Sequence, residues 1–501
     1  MTILDIPADV IIVIMHYLSI RELAFLSRSC RYLHTIVEEF GWRVYLNLHP
    51  LSTKSYSTSA PSWCARTHVR VNSYVDEQWD RSLFVARPLS DRWEGKLQPI
   101  LAINASRLLI AAGNLIYSYG FRTSSNVPDD APGVFLEAIY STSDTTHPKS
   151  DITSLTCLPD GVNDGQVFVG YANGTVEKIS LPSMKGNKGT PYVLPLDREV
   201  YDSHGGDNIV ESLSVTSTHM LSFSTSGAAS LHSFASSSPV EKINVNARGW
   251  SSLLSTRSSH RFAAFGTSSA LNPLLTYDIL PTGISPVPSY LLPTELTHSS
   301  AVYDITSAPM SSPWGASDQI LISGWYDGYV RVHDLRASNT ARTITRTNED
   351  TSSSTSISAF EPTLSFSDPW SFEPIYSVSS GGGSGAHIAA GSARHSVIAF
   401  WDVRYSKGWS VHAPGNDPSP VYSVVLDGAR VFGANQSRGF VLDFGPGVKE
   451  GTYPEVEVNS QTGPRQRVRR DLNTLTRAPI GAGFYVTKYS HARSKWTGKS
   501  L

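Results

Sequence analysis

The residues Val10, Ile11, Ile12, Val13, Ile14 and Met15 follow one another without a polar gap, so a helix through them is apolar on every side rather than along one stripe. Ile6-Pro7-Ala8-Asp9 reads as its start, because proline is favoured in the first turn and Asp9 suits the positive end of the helix dipole. Two more helical stretches follow: residues 20–26, with apolar Ile20, Leu23, Ala24 and Leu26, then residues 31–37, leading to Trp42. Together they predict a small helical bundle. A unit of this size buries too small a fraction of its surface to hide an all-apolar helix by itself. One face should therefore be covered by a partner, or by the domain behind it.

From about residue 96 the pattern changes to short apolar runs split by Gly, Ser and Asn, the spacing of an all-β repeat. The plainest unit reads as strands at 301–305, 319–324 and 326–334, with Asp327-Gly328 marking the tight hairpin between the last two. The same order recurs at 375–378, 387–391 and 397–403, ending in Phe400-Trp401-Asp402-Val403. Weaker copies begin near Ile100, Ile152, Val210, Ser252 and Val421, making seven, with third strands at 116–119, 176–179, 231–234, 274–279 and 440–444. Seven sheets closed into a ring leave no long sheet edge exposed.

The segments between are read by composition. Residues 62–95 carry Trp63, Trp79 and Trp93, too aromatic for a free linker, and should fix the bundle against the repeats. Residues 337–360 are rich in Ser and Thr and read as a disordered insertion after the fifth repeat; 121–150 read as a second exposed loop. From Pro464 onward, Arg465, Arg467, Arg469 and Arg470 with later Lys and Arg form a basic tail, read as solvated, with a nuclear address or phosphate contact as the alternative.

Charge and chemistry narrow the function classes. The 41 Lys and Arg against 43 Asp and Glu give a net charge of -2, no global drive toward nucleic acid or an anionic membrane. No apolar run reaches the roughly 18 residues of a membrane span, and Asp5 and Asp9 stand where a signal peptide would be basic. Cys30, Cys64 and Cys157 have neither zinc-site nor disulfide spacing, which fits a reducing compartment, cytoplasmic or nuclear. No zinc-protease helix, phosphate loop or nucleophile elbow is present, and pairs such as His204 and His232 share no ligand spacing. Gly381-Gly382-Gly383 lies between two strands and reads as a hairpin loop. No cofactor or metal is implied, and the chain reads as a binding protein rather than an enzyme.

The string Ile6-Pro7, Ile14, Leu18, Leu23, Leu26, Cys30, Leu33 and Trp42-Arg43 resembles the F-box motif, with Ile6 for the usual Leu, Asp9 for the usual Glu, and Leu33 where an aromatic is common. The repeats resemble WD repeats, with one intact Trp-Asp pair at 401–402 and few Gly-His pairs. The resemblance to F-box/WD-repeat proteins implies an α+β multidomain chain: a small all-α F-box bundle at 1–48, a connector at 49–95, an all-β seven-bladed WD-repeat propeller at 96–446 and the basic tail at 447–501. It implies docking of the Skp adaptor, and through it a cullin, by Ile6, Pro7, Val10, Ile11, Ile14, Leu18, Leu23 and Leu26. The chain would then be the substrate-recognition subunit of an SCF-type ubiquitin ligase, or alternatively a non-catalytic scaffold outside ubiquitylation. In such propellers a segment before the first blade commonly completes the last one; residues 82–87 are favoured for this over 453–459. The start of each first strand faces the binding surface, so Tyr303, Tyr376 and Tyr422, at one position of three successive blades, are expected to hold a target protein or peptide. Trp325, Tyr326, Arg394 and Arg438 are expected alongside, the arginines suited to a carboxylate or phosphate. The competing expectation is that the tyrosines fill the seam between blades.

Overall fold

The computed structural model describes residues 6–456 apart from 50–52, 57–62, 123–131, 144–148, 160–163, 183–191, 206–207, 236–240, 258–259, 294–299, 314–315, 338–340, 348–353, 406 and 416, together with 483–484 and 486–491. The basic cluster at 465–470 lies outside the described residues.

Four short helices form the N-terminal bundle: α1 (Ala8–Met15), α2 (Ile20–Ser29), α3 (Arg31–Ile36) and, after a π turn at Val37–Gly41, α4 (Trp42–Leu48). Helix α2 starts on a capping box, with the Ser19 hydroxyl accepting from the Glu22 backbone and the Glu22 carboxylate accepting from the Ser19 N–H at 2.7 Å. The core of the bundle is Ile11, Met15, Leu23, Leu33, Ile36, Val37 and Trp42. Gly41 sits where a side chain would meet Met15 Sδ at 3.1 Å and Val37 Cγ1 at 3.2 Å, so the π turn closes directly onto α1.

Seven sheets follow around a ring. Their first strands are Ile100–Ile103, Ile152–Cys157, Val210–Val215, Gly249–Ser255, Val302–Ser307, Ile375–Gly381 and Val421–Asp427, the starts expected from the repeats. The strand Val85–Pro88 pairs antiparallel with Gly439–Asp443 and completes blade 7, with Ala86 opposite Leu442, so the segment ahead of the first blade closes the ring. Residues 453–456 form no strand.

Two loop expectations are overturned. Within 121–150, Gly133–Ser141 is the outer strand of blade 1, paired along Leu115–Arg122. Within 337–360, Ala341–Thr347 and Ser354–Phe360 form an antiparallel hairpin whose second strand lies parallel to Tyr290–Leu292, widening blade 4. The insertion also falls inside blade 5, ahead of its outer strand Leu364–Ser367. Threonine and β-branched residues favour strand wherever an edge offers partners, and composition cannot report that such an edge is near. In the described part of the tail, Lys488–Ser490 add a fifth strand to blade 6 against Trp409–Val411.

The blades are stitched to one another by a repeated device. In blades 2 to 7 the ladder between first and second strands skips one residue near its start, at Thr153, Glu211, Trp250, Tyr303, Tyr376 and Tyr422. The next residue is serine at 154, 212, 251, 377 and 423, and aspartate at 304. At four of the six this side chain reaches the neighbouring blade: Ser154 Oγ donates to Val210 O at 3.3 Å, Ser212 Oγ accepts from Ser252 N at 3.0 Å, Asp304 Oδ2 from Val378 N at 2.8 Å, and Ser423 Oγ from Leu101 N at 3.2 Å, across the closure of the ring. The hydroxyls of Ser251 and Ser377 meet no hydrogen-bond partner among the described residues. Burial pushes the Asp304 carboxyl up to about 7, against the pull of the Val378 and Ile305 N–H groups.

Helix α5 (Ala65–Asp80) joins the two parts because it belongs to both cores. Val69 packs into the bundle. Val71, Val75 and Trp79, at i, i+4 and i+8, pack into the propeller with Phe84, Phe400 and Phe444. The Trp79 ring stacks on Phe444 at 3.9 Å and 6°, lies 4.5 Å from the His387 ring, and its Nε1 donates to Gly428 O at 3.0 Å. The glycine triplet of the sequence makes the room: at Gly382, with φ +70, a side chain would meet the Trp79 ring at 2.8 Å. Ahead of α5, the Ser55 N–H donates to Asp427 at 2.9 Å, and the buried pair Arg430–Asp443 at 3.0 Å takes the Tyr453 hydroxyl and the face of Tyr56. Gly382, Gly428 and Asp427 of these contacts lie at the ends of the first strands of blades 6 and 7, and this end of the strands is taken as the lower face of the propeller.

Two outcomes follow. Trp79→Ala should lower stability by about 3–5 kcal/mol in equilibrium denaturation and make helix α5 a new site of limited proteolysis. Because the folded state keeps the Asp304 proton up to about pH 7 while an unfolded aspartate releases it near its ordinary 3.8, the burial cost is absent below both values, grows between them and is full above pH 7. Asp304→Ser, which keeps an acceptor for Val378, should therefore gain stability over the parent chain as pH rises from 4 to 7, by on the order of 2–4 kcal/mol at pH 8, read as the difference in denaturation midpoints.

Candidate functional site

Helix α1 has two apolar faces, as its gapless composition demands. Ile11 and Met15, four apart, turn inward and are buried. Val10, Val13, Ile14 and Tyr17, at i, i+3, i+4 and i+7, form an outward stripe, all exposed and Tyr17 85% so. Phe25 of α2, 69% exposed, adds to the uncovered apolar surface of the bundle. The structure thus divides the residues expected at the adaptor contact. Val10, Ile14 and Pro7 are exposed; Ile6, Leu18 and Leu26 are half-buried against the bundle core; Ile11 and Leu23 are inside it. The last two hold the bundle together and offer nothing to a partner. Val13, Tyr17 and Phe25 were not among the expected residues, although the 3.6 period through Ile11 and Met15 places Val13 and Tyr17 on the outward face.

The second surface lies on the upper face of the propeller, where the first strands begin. The residue skipped by each ladder is free of pairing and its side chain is re-aimed by the bulge. In blades 4 to 7 those residues are all aromatic, and their rings touch in sequence. Trp250 meets Tyr303 at 4.7 Å and 89°, Tyr303 meets Tyr376 at 5.3 Å and 84°, and Tyr376 stacks on Tyr422 at 5.5 Å and 14°. All four are half-buried, so each ring both seals a blade seam and shows part of itself to solvent. The seam expectation for the tyrosines is met, and the exposed part of each ring leaves a surface on the upper face. Burial pushes the hydroxyls of Tyr303 and Tyr422 up from the ordinary tyrosine value, leaving them neutral hydrogen-bond donors at physiological pH.

Tyr326 is exposed beside the arc, 6.1 Å from Tyr303 between ring centres. Trp325 is not part of the surface: it is 0% exposed, its Nε1 donates to Ser323 Oγ at 2.8 Å, and the Arg331 guanidinium lies 4.6 Å from its ring. Successive strand residues point to opposite faces, so its neighbour Tyr326, not Trp325, is the one turned outward. Arg394 is exposed and stands 3.5 Å from Glu373. Arg438 is half-buried, its guanidinium held below the usual arginine range by burial and then by Arg92, with Asp417 and Asp91 opposing. Trp250 was missed in the sequence because its blade replaces the flanking apolar pair of the others with Gly249 and Ser252. Its Arg248 neighbour covers the ring at 3.9 Å and reaches Glu211, the bulged residue of blade 3, at 3.3 Å.

Among the described residues there is no group of three or more His, Cys, Asp or Glu placed to hold a metal, and no helix long and apolar enough to cross a membrane. The nearest approach to a catalytic cluster is Asp202, Ser222 and His204: the Ser222 hydroxyl donates to Asp202 at 2.9 Å and lies 2.9 Å from His204 Nε2. Ser222 is 0% exposed, so no substrate reaches it, and the cluster joins blade 2 to blade 3.

The bundle is tied through α5 to the face where the first strands of blades 6 and 7 end, and the arc lies on the opposite face, where the first strands begin. The F-box domain family matches residues 3–43. No curated protein matches the chain. Among solved structures, "Crystal Structure of Mitotic Checkpoint Complex" aligns over 71% of this chain and 93% of that one, at 14% identity and a TM-score of 0.46. Residues 3–43 are thus an F-box domain, and the chain continues through a shared helix into a seven-bladed β-propeller, the make-up of an F-box/WD-repeat protein.

Proposed function

We propose that this chain is the substrate-recognition subunit of an SCF-type ubiquitin ligase, docking the Skp adaptor through the F-box and a target protein through the upper face of the propeller. The observation that carries the reading is the outward stripe of Val10, Val13, Ile14 and Tyr17 on a bundle whose core is already filled. An apolar surface of that kind on a small domain calls for a protein partner, and the F-box match at residues 3–43 supports an adaptor of the Skp class. The partner contact then involves Ile6, Pro7, Val10, Ile14, Leu18 and Leu26 from the sequence, with Val13, Tyr17 and Phe25 added by exposure. The propeller supplies Tyr303, Tyr376, Tyr422, Tyr326 and Arg394 to the target.

The mechanism is proximity. The chain performs no bond chemistry: it raises the effective concentration of target lysines near a conjugating enzyme recruited through the adaptor and cullin. A rigid connection between the two surfaces serves this better than a tether, since a flexible one spreads the target over a larger volume.

Val10→Glu with Ile14→Glu should abolish capture of purified Skp adaptor by the full chain, with the melting temperature unchanged because neither side chain is in the bundle core; each buried aliphatic contributes about 1.5–3 kcal/mol and each charge adds desolvation. Retained capture would remove the F-box from the mechanism. The triple change of Tyr303, Tyr376 and Tyr422 to Ala should leave adaptor capture intact and reduce ubiquitylation of bound targets by a reconstituted ligase at least about tenfold. Undiminished ubiquitylation would move the target site elsewhere on the propeller.

A further inference from the structure

The aromatic arc on blades 4 to 7 has a composition that selects among targets. Its four rings come from the same bulged position of consecutive blades and form one continuous row. The charges around it are opposed by charges of the rim itself. Arg248 is tied to Glu211 at 3.3 Å and lies over Trp250, Arg394 stands against Glu373 at 3.5 Å, and Arg438 faces Asp417 and Asp91 as well as Arg92. A target residue carrying a formal charge would have to compete with these partners. A neutral segment would not.

The row also has polar tips. Among the described residues no hydrogen-bond partner meets the hydroxyl of Tyr303 or Tyr376, and neither oxygen is buried. The Tyr422 hydroxyl has only a long contact, 3.5 Å from Gln436 Nε2, so its proton remains available. The arrangement is a line of half-exposed rings in edge and face contact with one another, of which the three tyrosines carry available hydroxyl donors, while Trp250 Nε1 is buried and Arg248 covers its ring. A ligand matching it must present apolar surface at short intervals and free carbonyl oxygens between. Polyproline II does both: it has no internal hydrogen bonds, its carbonyls point outward, and its ring-bearing side chains pack on aromatic grooves. Successive ring separations of 4.7, 5.3 and 5.5 Å correspond to roughly five residues at about 3.1 Å each. Tyr326, standing exposed beside Tyr303, supplies a ridge on one side of the row.

We infer that the Trp250–Tyr303–Tyr376–Tyr422 arc binds an uncharged, proline-rich segment of the target in the polyproline II conformation, with the exposed parts of the rings taking the prolines and the tyrosine hydroxyls taking the carbonyls. This rests on the reading of the upper face as the target site, and it assigns to Trp250 a part in specificity.

The test is fluorescence anisotropy with the full chain and three labelled peptides of about ten residues. One alternates proline with leucine and tyrosine; the second has glycine for every proline; the third carries phosphoserine and glutamate at alternate positions. The proline peptide should saturate in the micromolar range and the glycine peptide should be at least about tenfold weaker, because it is not preorganised. Binding should change less than about twofold between 50 and 500 mM salt, since no ion pair across the interface is screened. Tyr303→Phe with Tyr376→Phe keeps the rings and the fold, and should weaken the proline peptide by about three- to tenfold. Equal binding of the glycine peptide, tighter and salt-sensitive binding of the phosphorylated one, or binding of none would each overturn the inference. If none binds while the triple alanine chain still loses target ubiquitylation, the ligand class is wrong and the receptor reading stands. If the proline peptide binds but ubiquitylation survives the triple change, the ligand class holds and the receptor reading of the arc fails.

Discussion

The placement of Trp79 is the constraint on which the relation between the two halves depends. An indole stacked at 3.9 Å on Phe444, flanked by His387 and hydrogen-bonded to Gly428, occupies a socket on the lower face of blades 6 and 7. The socket exists because Gly382 and Gly383 hold positive φ and carry no side chain. Two turns toward the N-terminus the same helix gives Val75 and Val71 to the propeller, and then Val69 to the bundle. A single helix shared by two cores cannot pivot at either end without opening one of them. The apolar stripe of α1 and the aromatic arc are consequently held in one relation, and each can be occupied without disturbing the other.

The ring obeys a second rule that explains why the arc exists. Closure needs each blade to hold its neighbour, and at four of the six bulges the next residue does so with a short polar side chain, as Ser154, Ser212, Asp304 and Ser423 show. Turning that residue toward the next blade leaves the bulged one before it facing the upper surface. One local irregularity therefore performs two tasks, stitching the blades and presenting a side chain. Across the ring the presented residues run Thr153, Glu211, Trp250, Tyr303, Tyr376 and Tyr422. The fold fixes the positions, while the identity of the residues there is free to define a ligand.

Much of this was legible in the chain. Apolar runs and the Asp327-Gly328 hairpin located the seven first strands, and the tyrosines were found because Val302/Ile305, Ile375/Val378 and Val421/Val424 align. The outer strands were not. Gly133–Ser141, Arg198–Ser203 and Glu241–Asn244 mix polar with apolar residues, so their pairing is set by the adjacent edge rather than by their own period. The bundle shows the converse failure. Its first helix was correctly read as apolar all round, yet composition alone could not divide Ile11, which faces Met15 and Trp42, from Ile14, which faces outward. Trp325 misled for a related reason: an aromatic beside a hairpin points inward or outward by strand parity, and only the pairing register of Val302 with Trp325 fixes which.

The arc stops where it does for a reason rooted in that register. Blade 1 has no skipped residue in its first pair, since Ile100 to Ile103 match Ala111 to Leu108 one for one, and blades 2 and 3 present Thr153 and Glu211 instead of rings. Thr153 donates to Val210 O at 2.7 Å, and Glu211 binds Arg248, so both are engaged within the rim. The upper face is thus divided into a side whose polar groups satisfy one another and a side of half-exposed rings whose Tyr303 and Tyr376 hydroxyls meet no partner among the described residues. Binding energy arises where desolvation is cheap and new contacts are many, and that condition holds on blades 4 to 7 alone. The same blades 6 and 7 carry the Trp79 socket beneath, so the stretch of propeller most firmly tied to the bundle is also the one that presents the arc.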